Sequence, residues 1–405
     1  MAKNHIIVAL EIGTSKISVV VGESRSEGTV HILGCGKATS FGVRKGEIVD
    51  IEAAGKCIRE ALVEAEEQSN VSIGQVYLGV TGGHFESFNN RCPIDITGER
   101  QEIVEEDCED LIAMARACPV ASQNDIIHSI LQHYSIDGQT GVLNPVGLLG
   151  SKLEAEFHII HGSTKRIQNS IRCVKEVGPE VLLVAFNAVA SAVAVLSTDQ
   201  KNLGALVIDI GGGTTDYVVY VDGVIKLSGS LPVGGDHLNS DLSIGLRILM
   251  THAEKLKITE GCVLLQPRLG VEPQITLKDE TGFTGKVIDR QVLNTILHVR
   301  MREVFEILKR RIDEAGILAQ IGAGVFLTGG ASQTLGMAEL AATIFEMPAE
   351  LAHSQDCSGP TFAFESPELS TAIGLLKLGS QSNPQNTGSW FRNLLRKLPF
   401  VGMFL

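Results

Sequence analysis

The chain carries one short plan twice. Residues 6–22 read IIVALEIGTSKISVVVG and residues 204–223 read GALVIDIGGGTTDYVVYVDG. Each passes from an apolar run to an acid, then Ile-Gly, then small hydroxyl residues, then a second β-rich run. With a two-residue gap, Glu11 aligns with Asp209, Gly13 with Gly211, Thr14 and Ser15 with Thr214 and Thr215, and 17–21 with 217–221. Such a repeat predicts two related domains, each opening with a β-hairpin. At 405 residues, 44% of them hydrophobic, the chain is long enough for two or three cores.

The residues of each hairpin turn suit an anion. Glycines without a Cβ let backbone N–H groups come close to a phosphate, and Thr and Ser hydroxyls donate further hydrogen bonds. Two hairpins facing each other would clamp a polyphosphate through Gly13, Thr14 and Ser15 on one side and Gly211, Gly212, Gly213, Thr214 and Thr215 on the other. The acid ending each first strand, Glu11 or Asp209, is placed to hold waters on Mg²⁺, which keeps several waters and few protein ligands. Lys16 offers a compact positive charge for the terminal phosphates. No GxxxxGK[ST] occurs, and no GxGxxG follows a strand. A single IGGGTTD is compatible with an ordinary turn; two copies a domain apart favour phosphate binding. A third glycine element, GVFLTGGASQTLGMAELAATIF at 324–345, reads as a strand, a turn at Gly329 and Gly330, and a helix, leaving room for a base and ribose. Within 233–257, Glu254 and Lys257 stand three apart on one helical face, where they can reach ribose hydroxyls or form a surface ion pair.

Composition narrows the partners. A net charge of −13 argues against a nucleic-acid binder, which needs clustered Lys and Arg. The eight cysteines show no CxxC pair or zinc spacing and read as reduced core thiols of a cytosolic protein. Only five apolar residues, 6–10, precede Glu11, too few for a signal peptide. The longest apolar stretch, 181–196, includes Asn187 and Ser191 and is too short to span a bilayer; it reads as a buried strand running into a helix. His158 and His161 fall on opposite faces of a β-rich run and read as partnered histidines, not metal ligands.

The last residues break with this character. GSQSNPQNTGS at 379–389 has no charge and no large apolar residue, so it reads as a flexible tether. Beyond it, Phe391, Leu394, Leu395 and Leu398 follow i, i+3, i+4, i+7 spacing beside Trp390, with Arg392, Arg396 and Lys397 as the only charges. This is an amphipathic helix with a basic face, ended by Pro399. It can fold back on the core or meet a partner helix, but the tether and the Trp beside cations favour an anionic lipid surface. A helix this short binds lipid weakly, so stable attachment needs several tails on one assembly.

The order EIGTSK (11–16), DIGGGTTD (209–216), GGD (234–236), AEKLK (253–257) and LTGGAS (327–332) resembles the actin and heat-shock-chaperone ATPase superfamily. Residues 80–162, IGLR at 244–247 and the tail are similar to the FtsA family of bacterial actin-like cell-division proteins. The resemblance implies an α/β, actin-like ATPase fold with two related domains around a nucleotide cleft. The first would comprise 1–82, 163–197 and 362–378, with an FtsA-type inserted subdomain at 83–162. The second would comprise 198–225 and 310–361, with an outer subdomain at 226–309. It further implies ATP and Mg²⁺ as cofactors, Gly235 of GGD among the nucleotide contacts, and self-assembly into head-to-tail filaments. These would bind the C-terminal tail of FtsZ through Arg300, with Arg302 a neighbouring candidate, while Arg300 can equally pair with Glu303. Anionic lipids on the cytoplasmic face of the inner membrane at the septum, and later division proteins meeting the insert, complete the expected partners.

Two residues depart from the superfamily pattern. Glu11 stands where Asp is usual. Asn187 aligns with the acid that orients the attacking water in active members, and an amide is a very poor base, so the protein is expected to bind ATP and turn it over slowly at most. Rival readings are a PilM-like pilus-assembly scaffold, an MreB-like scaffold, or a soluble small-molecule kinase or chaperone of the same superfamily. The tail and Asn187 together favour the FtsA family over these, no motif nominates a kinase base, and 27 residues after Leu378 leave no room for a chaperone's peptide-binding domain.

Overall fold

The computed structural model describes residues 5–25, 29–97, 101–265, 272–277 and 286–381. Two sheets form its centre. The first has six strands in the order Glu180–Phe186, Gln75–Val80, His5–Ile12, Lys16–Ser24, Val30–Thr39 and Cys357–Ser358. The second has five, in the order Ala349–Leu351, Gly324–Thr328, Ala205–Ile210, Thr215–Val221 and Val224–Leu231. Unbroken apolar runs build both, because helices cover both faces of each; every residue of Ala205–Ile210 and Thr215–Val221 is buried.

The repeat extends well beyond the hairpins. In each sheet a three-stranded antiparallel meander is followed by two parallel strands. Pairing also removes the two-residue gap expected from sequence. Ile12 faces Ile17 and Ile210 faces Thr215, while Gly13 N donates to Lys16 O at 3.0 Å and Gly211 N to Thr214 O at 2.9 Å. Lys16 therefore corresponds to Thr214, Ile17 to Thr215, and Ser18 to Asp216. Thr215 is a core residue whose Oγ1 donates to Val233 O at 2.8 Å, which corrects its expected place in the phosphate loop.

Several expected boundaries move for similar reasons. The second sheet keeps its outer strand to Leu231, past 225, and helix Arg290–Glu314 runs through the expected border at 309. The chain returns to the first sheet at Cys357, not after 361, by pairing with Val30. Helix Ser370–Gln381 continues three residues into the expected tether. Gly379 lies where a Cβ would sit 2.7 Å from the Ile7 side chain, and Ser380 Oγ is 2.5 Å from Ser24 Oγ.

Between Gln75–Val80 and helix Thr164–Val177 the chain departs to build a four-stranded sheet, Glu86–Asp95, Lys152–Ser163, Asn124–Ile136 and Gln139–Val142. Helix Glu105–Arg116 covers it, and Leu111, Phe157 and Ile159 belong to a core of its own. Polar contacts fasten this insert to the second sheet: Ser87 Oγ donates to Ser228 O at 2.7 Å and Asn89 Nδ2 to Lys226 O at 2.9 Å. His158 is buried with Nδ1 2.7 Å from Asn89 Oδ1 and Nε2 2.8 Å from Ser228 Oγ, and His161 Nδ1 is 3.1 Å from Asn124 Nδ2, so both are partnered as expected.

Helices Asn187–Val195 and Ser370–Gln381 lie between the two large sheets, and one apolar cluster joins Leu78, Ala188 and Leu375 to Val207 and Val218. The helices meet closely: a Cβ on Gly374 would lie 1.8 Å from Ala190 O. Lys377 Nζ donates to Val193 O at 3.4 Å and Ala194 O at 3.3 Å, satisfying carbonyls at the first helix's end. The far face of the second sheet packs on Gly235–Leu246, Arg290–Glu314 and Met337–Phe345. All eight cysteines are free, six of them buried. No helix among the described residues is long and apolar enough to cross a membrane.

Candidate functional site

The strand ends bearing Glu11 and Asp209 open into one cavity of about 360 Å³. Its walls include Gly13 to Lys16, Gly211 to Thr214, Gly235, Glu254, Lys257, Gly329 and Gly330, so every expected nucleotide residue except Thr215 is brought together, along with both expected metal acids. The glycines act partly by letting the two hairpin tips touch. A Cβ on Gly212 would lie 2.8 Å from Ser15 Cβ, and one on Gly213 would lie 2.3 Å from Thr14 Oγ1 and 2.8 Å from Lys45 Cα. Gly329 has φ +85°, and a Cβ there would lie 2.3 Å from Asp209 Oδ1 and 2.6 Å from Ile210 O, a place only glycine fits. At the start of helix Gly235–Leu246, the N–H groups of Gly235 and Asp236 donate to Gly211 O and Gly212 O at 2.9 and 2.8 Å, bracing the second loop. Lys257 Nζ donates to Gly235 O at 3.3 Å.

Three carboxyls crowd the cavity floor. Burial pushes Glu11 up to about 7, with Lys16 opposing and Asp209 and Asp216 adding to the rise. Asp216 also reaches about 7, through burial and then Asp209, although Thr81 Oγ1 donates to it at 2.6 Å. Burial raises Asp209 as well, against hydrogen bonds from Ser191 Oγ at 2.5 Å and Thr371 Oγ1 at 3.0 Å. Two buried oxygens in the cavity wall, Glu11 Oε2 and Asn187 Oδ1, have no hydrogen-bond partner among the described residues. Unsatisfied acceptors and excess negative charge suit a hydrated cation, which would hold the acids ionised and supply the missing donors through its waters. Among the described residues, no three His, Cys, Asp or Glu stand close enough to hold a bare metal ion.

This floor predicts a pH effect. A carboxyl whose folded pKa exceeds its unfolded value contributes stability below pH 4 to 5 and loses it as pH rises through about 7. The neutral buried His128 and His158, depressed by burial to about 4 and about 3, act oppositely, but only below about pH 6.5. Between pH 6.5 and 8, in chelator, the melting temperature should therefore fall. Asp216→Asn should flatten that fall by about 1 kcal/mol of stability. Thermal melts of both proteins across this range check it; parallel curves would refute the role of Asp216.

Several cavity-lining positions were not visible in the sequence. Asp216 ended a motif read for its glycines and hydroxyls, and only its strand register shows it as cavity-facing. Glu368 lies 352 residues from Lys16, and Thr371 lies 162 from Asp209. The candidate partner residues lie elsewhere. Arg300 binds Asp241 through Nε at 2.6 Å and Nη2 at 3.1 Å, and Glu303 through Nη1 at 2.5 Å; Arg302 binds Glu306 at 2.7 Å. The residues expected to bind a membrane, Trp390 to Leu398, lie outside the described residues.

Two duplicated sheets enclosing a glycine-looped acidic cavity define an actin-like ATPase fold. Solved structures agree: a PilM–PilN type IV pilus biogenesis complex matches with a TM-score of 0.62 at 15% identity, over 92% of this chain and 98% of that one. MreB5 of Spiroplasma citri bound to ADP matches at 0.52 and 17% identity, over 92% and 95%. Sequence comparison is more specific. A family model described as cell division protein FtsA matches 206–374, and one for the SHS2 domain inserted in FtsA matches 82–161. Cell division protein FtsA of Pseudomonas aeruginosa is 34% identical over 93% of this chain and 89% of its own length. That of Escherichia coli K12 is 31% identical over 96% of each. The chain belongs to the FtsA family of cell division proteins, as its insert implies.

Proposed function

We propose that this division protein is an ATP-binding, self-polymerising scaffold that tethers FtsZ filaments to the cytoplasmic face of the membrane at the septum and helps recruit later division proteins through its insert. The observation that carries the reading is the one cavity between the duplicated hairpins, set in a chain related to FtsA over nearly its whole length. Glu11 and Asp209 would hold waters of Mg²⁺, which supplies charge neutralisation for the phosphates. Lys16 would meet the terminal phosphates, and the loops at 13–15 and 211–214 would close on them. Gly329 and Gly330 leave space for the base, and Glu254 and Lys257 face the ribose. Asn187 makes turnover slow. FtsZ's acidic tail would exchange with Asp241 and Glu303 for Arg300, with Arg302 alongside. The amphipathic pattern of 390–405 supports binding to anionic lipid.

Co-sedimentation with anionic liposomes tests this reading. The full chain should pellet with liposomes, more so with ATP and Mg²⁺. A truncation after Gln381, which keeps Ser380 against Ser24, should bind ATP equally and stay in the supernatant. Lipid binding retained by the truncation would remove the tail from the account; failure of the full chain to pellet under every condition would remove the membrane.

A further inference from the structure

Residues 367–371, Pro-Glu-Leu-Ser-Thr, connect all three glycine loops. Pro367 O accepts from Gly329 N at 3.1 Å and from Thr328 Oγ1 at 3.0 Å, while Thr371 Oγ1 reaches Asp209. Glu368, between them, takes the cation of the first loop. Lys16 Nζ donates to Glu368 O and lies 3.5 Å from its Oε2, and Lys37 Nζ pairs with the other carboxylate oxygen.

We propose that Glu368 is the resident counter-ion of Lys16, released to Lys37 when the terminal phosphates of a bound nucleotide take its place. The proposal rests on the nucleotide reading above and assigns the residue that sets affinity for the phosphate end. Burial disfavours the ammonium form of Lys16, and nearby Glu11 and then Glu368 oppose that effect. A triphosphate entering a floor that already holds Glu11, Asp209 and Asp216 meets like charge. Glu368 is the acid equipped to withdraw. Its side chain and that of Lys37 are 28% and 35% exposed, and Lys37, on Val30–Thr39, stays bound to it as Lys16 leaves. Asp209, in contrast, is buried and pinned by two hydroxyls.

The test is titration of Mg²⁺·ATP and of adenosine into the full chain, Glu368→Gln, Lys37→Met and the double variant, each with its melting temperature. Removing the Glu368 charge while keeping an acceptor for Lys16 should tighten ATP on the order of tenfold and leave adenosine unchanged. Removing the Lys37 cation should weaken ATP roughly three- to tenfold, and this loss should vanish in the Glu368→Gln background. Equal or weaker ATP binding by a stable Glu368→Gln protein, or adenosine affinity shifting in step with ATP, overturns the proposal. Should that variant melt early, Lys37→Met alone decides, with unchanged ATP affinity counting against. Absence of ATP binding by the parent chain overturns the nucleotide reading itself, and the counter-ion role with it.

Discussion

Asn187→Asp should release phosphate from ATP on the order of a hundredfold faster than the parent chain, the lower end of what a positioned acid–base group contributes. Asn187 is the first residue of helix Asn187–Val195, 3% exposed, and lines the cavity with an Oδ1 that no group among the described residues satisfies. Gly79 permits this placement, since a Cβ there would stand 2.7 Å from that oxygen. The amide can orient a water but cannot take its proton. A carboxylate can do both, and the helix start favours its charge. Buried near Glu11 and Asp209, the new carboxyl would ionise late, so the gain should grow as pH rises toward 8 and should need Mg²⁺. Single-turnover phosphate release across pH 6 to 8 measures it. A variant that binds ATP as the parent does, yet turns over no faster at pH 8, would show that Asn187 is not the hydrolytic position.

Gly374→Val should cost the most stability of any single change considered, roughly 3 kcal/mol or more. Helix Ser370–Gln381 approaches Asn187–Val195 so closely that a Cβ on Gly374 would lie 1.8 Å from Ala190 O and 2.4 Å from its carbonyl carbon. These are backbone atoms inside a helix and cannot move aside as a flexible side chain would. The whole helix must shift, disturbing Asn187, Ser191 and the hydroxyl Thr371 gives to Asp209. Melting should drop by several degrees at least, with nucleotide affinity falling in parallel. Gly74→Ala is the control, because a Cβ there meets nothing within 4 Å, and it should stay within about 0.5 kcal/mol of the parent. Equal melting of both variants would mean that the helix contact is looser than described.

What was legible in the sequence was whatever depends on local pattern. The two strand–acid–glycine hairpins, the buried strands and the cavity-lining loops could be read because alternation, glycine and small hydroxyl residues leave marks within a few positions. Register left no such mark. Aligning hydroxyl with hydroxyl placed Thr215 in the loop, whereas strand pairing puts it opposite Ile210 in the core and makes Asp216 the counterpart of Ser18. Long-range partners were equally silent: nothing near Lys16 points to Glu368, and nothing near Asp209 points to Thr371. The end of the last helix was misjudged because Gly379 and Ser380 look like linker residues, yet their small size is what lets them pack against Tyr77 and Ser24. Arg300 divides along the same line: its pairing with Glu303, three residues on, was legible in the sequence, whereas that with Asp241, 59 residues away, was not.

The packed helix pair sits where the two halves meet and touches strands of both; were the cleft to open, that seam would be its hinge. Points on a hinge move least when the leaves swing. The chain continues from Gln381, at the end of that seam, so on the proposed reading an anchor carried beyond it would not be tugged by such a motion. On the function proposed above, the body would pivot on its own attachment, and a filament of such bodies would change curvature while its roots stay still.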